Sequence, residues 1–239
     1  IYVLQNSANG TGEVAISGGA ITTTGASNSS GAYVQINAGN AASAIATFGG
    51  TASITTNGTT SIGLQLLNQG SGSNTVTMTG GNITTTNATS SAFSYGLHAY
   101  INTASNSSAN TVTMQGGRVE TRGGTSYAVY AQSIGLGASR VTIDGGTIVT
   151  LGTNGMGAYS AIDNTASTNS SEVVMTGGTI TTSGSGGNGL AATTNSLGAA
   201  NITLQNGTIS TSSSNANGAF ANNTRAASTG ATSISMQGG

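Results

Sequence analysis

Short runs of alternating apolar and polar residues recur along the chain. Each leads into a glycine pair and then a Thr-rich stretch that alternates again. The copies are VAISGGAITTTG (14–25), VTMTGGNITTTN (76–87), VTMQGGRVETRG (112–123), VTIDGGTIVTLG (141–152), VVMTGGTITTSG (173–184), ITLQNGTISTSS (202–213) and a terminal ISMQGG (234–239), with a weaker copy, ATFGGTASITTNG (46–58), in the one long gap. A period of two is that of a strand with one buried face, not of a helix. A third alternating run follows each copy after a small polar turn, as in GAYVQIN (31–37), IGLQLLN (62–68), YGLHAYIN (95–102), YAVYAQS (127–133), GAYSAID (157–163), NGLAATT (188–194) and GAFANNT (218–224). Each repeat thus predicts three short strands and three bends.

The second glycine of each copy falls at Gly19, Gly50, Gly81, Gly117, Gly146, Gly178, Gly207 and Gly239, in steps of 31, 31, 36, 29, 32, 29 and 32. A drifting period near 30 predicts stacked units joined by loops of variable length. Three strands cannot bury an apolar face alone, but one coil laid on the next does so while forming parallel ladders. The expected fold is all-β, a right-handed parallel β-helix (β-solenoid) with about 30 residues and three strands per coil. The right hand follows from the strong preference of parallel crossovers. Seven intervals at about 4.8 Å give a rod about 34 Å long.

Stacking turns sequence columns into ladders. Val14, Val76, Val112, Val141, Val173, Ile202 and Ile234 form one expected inward row, and Ile16, Met78, Met114, Ile143, Met175, Leu204 and Met236 the next. Ile21, Ile83, Val119, Ile148, Ile180 and Ile209 form a third, followed by threonines at 23, 85, 121, 150, 182 and 211 near a corner. In the third run Ala32, Val34, Ile36, Leu64, Leu66, Leu97, Ala99, Ile101, Ala158, Ile162, Leu190 and Ala192 are placed inward, which puts Tyr33, His98, Tyr159 and Phe220 outside. The 127–133 copy is open to a one-residue slip, which would exchange its faces.

Composition narrows what such a rod can do. Only 4% of residues are charged, against roughly a quarter in an ordinary globular protein. With four arginines, no lysine and a net charge of -1, nothing neutralises a nucleic-acid backbone or an anionic membrane. No apolar run approaches the 18 or so residues of a membrane span, so no membrane insertion by this segment is expected. Residues 1–239 read as one solenoid segment. Its opening on Ile1 and its close within a repeat give the expectation of an interior fragment of a longer protein.

Candidate chemistry is sparse. Arg118, Glu120, Arg122, Arg140, Asp144 and Glu172 fall within two neighbouring repeats. Glu120 and Asp144 stand five strand positions apart on adjacent coils, about 16 Å, too far for an acid pair. Arg140 and Glu172 stand one above the other and predict a cross-strand ion pair. His98 is the one histidine and there is no cysteine, so neither a protein-only zinc site nor a Cys-His pair is expected. His98 reads as a surface residue. GSGGNG (184–189) has the letters of a dinucleotide fingerprint without the following helix, and reads as a turn. No catalytic, metal or cofactor-binding residue is assigned, and no enzyme activity is expected.

The outer faces leave two further readings. Thr22/Thr24 and Thr84/Thr86 begin a flat hydroxyl lattice of the ice-binding kind, interrupted by Glu120/Arg122 and Val149/Leu151. Tyr33, Tyr159 and Phe220, with His98 on the same face, are either isolated surface residues or a shallow aromatic platform for sugars or another protein. The 36-residue step holds the longest insertion, at 87–94 or 103–110, and is the first place to expect a specificity loop.

The phrases VTMTGGNITTTNATSSAFSYGLHAY (76–100) and VVMTGGTITTSGSGGNGLAATT (173–194) resemble the passenger regions of Gram-negative autotransporters, adhesins of the pertactin and AIDA kind, and the likeness runs along nearly the whole chain. That resemblance implies display at the bacterial cell surface or in the extracellular space, with the passenger as a stalk or adhesive rod. Its implied partners are a host or neighbouring-cell surface protein or glycan, or self-association into an extracellular filament. A carbohydrate-active β-helix enzyme is the remaining alternative. No functional residue is carried over, because the shared phrases are scaffold.

Overall fold

In the computed structural model the described residues are 1–25, 27–86 and 93–238, and they form 23 strands and no helix. The strands assemble into three parallel sheets of eight, eight and seven strands, in which each strand pairs with its counterparts one repeat away. The architecture is a right-handed parallel β-solenoid of about seven turns, roughly 32 residues each. One coil shows the plan. Asn110–Met114 lies in sheet B, Arg118–Thr121 in sheet C and Thr125–Ser133 in sheet A, so the chain runs B, C, A around a three-sided prism.

The predicted ladders are the observed core. Val14, Ala46, Val76, Val112, Val141, Val173, Ile202 and Ile234 stand in one column of sheet B, and Ile16, Phe48, Met78, Met114, Ile143, Met175, Leu204 and Met236 in the next. The weak copy supplies Ala46, Phe48 and Ile54 in phase, and Phe48 is among the largest fully buried side chains. In the last coil the rows surface: Ile234 and Met236 are exposed.

The glycine pair has an asymmetric cause. The second residue of the pair is left-handed in every described copy, with φ of 82° at Gly19, 60° at Gly50, 77° at Gly81, 84° at Gly117, 88° at Gly146, 87° at Gly178 and 111° at Gly207. A Cβ is disfavoured there, whereas the first position tolerates Asn206. A second glycine column, Gly31, Gly63, Gly96, Gly157, Gly189 and Gly218, sits where the sheet A strand bends. A Cβ built at Gly96 would overlap Val119 of sheet C and the Ala128 carbonyl of the next coil. Ala128 is the one non-glycine in that column, and its strand is not slipped: Leu97 pairs with Val129 and Ala99 with Ala131.

Two inner corners are polar in different ways. Where sheets A and B meet, Ser139 Oγ donates to the Ala131 carbonyl (3.0 Å), Ser160 Oγ to the Ser139 carbonyl (2.9 Å) and Ser171 Oγ to Ser160 Oγ (2.9 Å). At the end of sheet C the stacked hydroxyls of Thr56, Thr85, Thr121, Thr150 and Thr182 are buried and make no hydrogen bond to the protein.

Candidate contact face: an aromatic ridge on sheet A

The outward positions of sheet A are set by its strand register. Tyr33, Gln65, His98, Tyr130, Tyr159, Ala191 and Phe220 form one column. All four residues picked from sequence therefore share one file on the outside of one sheet. The structure brings only two of them together, His98 and Tyr159, with Tyr130 between. Tyr33 is set apart by Gln65 and stacks on Tyr2 at one end of the rod (5.4 Å between ring centroids, 14° between planes). Phe220 lies beyond Ala191 towards the other end.

The middle of the file is a stack of parallel rings. His98 and Tyr130 lie 4.9 Å apart and 3° from parallel, and Tyr130 and Tyr159 lie 4.7 Å apart and 1° from parallel. These separations match the ladder spacing, so the backbone register itself sets the stack. Beside it runs a second file, Tyr95 and Tyr127, paired by register with ring centroids 5.6 Å apart. Tyr127 meets Tyr130 and Tyr159 edge-on, at 5.0 Å and 5.2 Å with 75° between planes. Edge-to-face and offset-parallel contacts are the favoured aromatic geometries. Tyr100 closes the opposite side against His98 (5.7 Å, 11°), and Phe93, 47% exposed, lies beside Tyr95 on the same strand. Five of the seven tyrosines thus gather on three neighbouring coils.

His98 corrects the expectation of a surface residue. It points away from the core, yet it is only 3% exposed, because Tyr95, Tyr100 and Tyr130 cover the ring and Gln65 closes the remaining side. The Gln65 side-chain amide lies 3.3 Å from His98 Nδ1. Burial lowers the His98 pKa to about 4, and the nearby Gln132 side chain offsets this only in part. The imidazole is therefore neutral through the physiological range and acts as one more flat ring in the stack.

The tyrosines are protonated over the same range. Burial, with the neighbouring phenols, raises Tyr95 to about 12; burial chiefly raises Tyr159 to about 12 and raises Tyr127 and Tyr130 as well. Tyr159 shares a hydrogen bond with Thr193 Oγ1 (2.8 Å), and Tyr100 donates to Asn102 Oδ1 (2.9 Å). The hydroxyls of Tyr95, Tyr127 and Tyr130 bond to no other described group. Asp163 borders the ridge, its carboxyl raised by partial burial and partly lowered again by Gln132. The result is an uncharged surface of rings and phenol hydroxyls, rimmed by Gln132, Thr193, Asn102 and the Asp163 carboxyl.

The charged cluster between Arg118 and Glu172 lies off the ridge and is paired, Asp163 at its border excepted. Glu120 projects outward from sheet C between Arg118 (2.5 Å) and Arg122 (2.5 Å). Burial pushes its carboxyl up, but the two guanidinium groups outweigh this and hold it below its usual range. Arg140 and Glu172 are cross-strand partners at 3.0 Å, as the register predicts. Asp144 accepts from Thr176 Oγ1 (2.8 Å).

Sequence reasoning missed Tyr95, Tyr100, Tyr127 and Tyr130. A signal was present: laying YGLHAY on YAVYAQ stacks Tyr95 on Tyr127 and His98 on Tyr130, provided the 127–133 strand is unslipped. Of the insertion at 87–94, residues 87–92 lie outside the described residues. The other candidate loop, 103–110, is tied down by Asn106, whose Nδ2 donates to the carbonyls of Gly70 and Gly72 (2.9 Å each). Comparison with known proteins finds no matching family model, no matching curated protein and no matching solved structure.

Proposed function

We propose that this chain is a repeat segment of a surface-displayed or secreted bacterial β-helix, of the autotransporter-passenger kind, that serves as a rigid adhesive stalk. The observation behind this reading is the aromatic ridge on an otherwise uniform, nearly uncharged rod. A stalk gains stiffness from ladders that join every coil to the next, and such a solenoid distributes its stability over nearest-neighbour interfaces. A contact surface needs aromatic area with a polar rim, placed on rigid elements. Sheet A supplies both on adjacent strands.

A structural rather than catalytic role is favoured by the disposition of the carboxylates. Glu120 and Glu172 are counter-ions to arginines, Asp144 is held by Thr176, and Asp163 borders phenols rather than a second acid. Hydrolysis of a glycosidic bond needs two carboxyl groups facing one bond.

Electron microscopy of the full-length protein on the cells that make it, and after its release, tests the reading. Rods of fixed length rooted at the cell surface are expected. Localisation inside the cell would overturn it, and continuous fibres built from this segment end to end would replace the stalk with a filament.

A further inference from the structure

We propose that the tyrosine ridge of sheet A is a carbohydrate-binding face whose ligand is a neutral glycan chain lying along the rod axis. The inference deepens the adhesive reading and rests on it for its biological setting, but its chemistry stands on the ridge alone. Three features select the ligand. The first is charge: among the described residues the paired sheet A strands of the ridge carry no cation, and Asp163 borders it, so a phosphate, sulfate or acidic polymer finds no counter-charge. The second is hydrogen bonding. The hydroxyls of the half-buried Tyr95 and Tyr127 each donate and accept, which suits vicinal sugar hydroxyls that also do both.

The third is shape. Tyr95 and Tyr127 stand one coil apart, 5.6 Å between centroids, and Tyr127 meets the rings behind it edge-on. This file offers successive apolar contacts at the step of the solenoid, against which the C–H faces of successive sugar rings can lie. Phe93 adds an exposed ring beside Tyr95 on the same strand. The rings are already packed against one another, so binding orders little that was free, which lowers its entropic cost. A protein partner would be expected to bring an apolar anchor into a pocket, whereas the rings of the ridge fill one another's flanks.

The test uses the full chain and a panel of neutral oligosaccharides of four to six residues, covering gluco-, galacto-, manno- and N-acetylglucosamine types, with a sulfated and a uronic-acid oligomer for comparison. The chain has no tryptophan, so its intrinsic fluorescence reports tyrosine, most of it in the ridge. At least one oligosaccharide is expected to change that fluorescence saturably and to bind by calorimetry with millimolar or tighter affinity. Tyr127→Ala is expected to weaken that binding at least tenfold, Tyr127→Phe by less, and Thr84→Ala on sheet C not at all. Circular dichroism confirms that each variant remains a β-solenoid, and the Phe variant keeps the test decisive if the Ala variant unfolds. Absence of binding across the panel overturns the proposal, as does equal binding by Tyr127→Ala. Preferential binding of a sulfated or uronic-acid oligomer overturns the neutral ligand class. None of these failures touches the rod itself, which the microscopy reads separately.

Discussion

Sheets A and C wind through the same coils with the same ladder spacing, yet their outer faces differ. Sheet C carries small hydroxyl side chains outward, Thr22, Thr55, Thr84, Thr181 and Ser210 in one column, broken by Glu120 with its two arginines and by Val149. Sheet A stacks His98, Tyr130 and Tyr159 in one outer column and Tyr95 and Tyr127 in another. The inner faces of both are aliphatic and alike. The difference teaches that the repeat constrains the inward columns, where each residue meets the core and the coils above and below. The outward columns are free to vary, and the residues that depart from the consensus there are where function is to be sought.

The largest effect expected from breaking this contrast is at Tyr130, 5% exposed and sandwiched between two parallel rings. Tyr130→Ala should lose about 3 kcal/mol in denaturant unfolding, while Thr84→Ala on sheet C should stay within about 0.5 kcal/mol. Comparable losses at the two sites would mean that the ridge is no better packed than the threonine face.

The pH dependence of stability separates the faces next. His98 titrates near 6.5 when unfolded and about 4 when folded. Because its folded pKa is lowered, the unfolded state takes up the proton first as pH falls. Stability should decline by about 3 kcal/mol between pH 6.5 and 4, then level off for this group. His98→Phe should flatten that window, as measured by unfolding at a series of pH values. Glu120 behaves in the same direction at lower pH: its folded pKa lies below 4.5, so its contribution is present above that value and is lost as pH falls through the lowered pKa. Glu120→Gln should cost about 1 kcal/mol at pH 7 and remove that acid limb while leaving the His98 window intact.

The smallest effect concerns the two polar corners inside. The Thr121 hydroxyl is buried without a protein partner, so Thr121→Val should be neutral or slightly stabilising. Ser160→Ala, which breaks two hydrogen bonds, should cost about 1 kcal/mol. Thermal unfolding of the two variants side by side checks the difference.

The fold was legible because the constraints that impose it are local and periodic. Each Gly81-type position needs a left-handed backbone, and each Val76-type or Met78-type position needs an apolar side chain over its counterpart. Even the weak copy obeys, with Phe48 in the methionine column. The glycine within the sheet A strands was visible as part of a recurring phrase, but its reason, the close approach of Gly96 to Val119, required the packing of sheet A on sheet C. The contact face was legible only in part. Its column was readable once Tyr33, His98, Tyr159 and Phe220 were placed outward. The ridge itself depends on cross-coil register, and Ala128 in place of the bend glycine left that strand's register open. The burial of His98 was not readable from its own strand, since Tyr130 reaches it from the next coil.

Whether the sheet A ridge rather than the sheet C face is the contact surface can be read by nuclear magnetic resonance. Tyrosine-ring and threonine-methyl signals would be followed while the best-binding neutral oligosaccharide is added. The account predicts shifts concentrated on Tyr95, Tyr127, Tyr130 and Tyr159, with the methyl signals of Thr55, Thr84 and Thr181 unmoved. Shifts on the threonine methyls with the ridge silent, or shifts spread evenly over both faces, would contradict it.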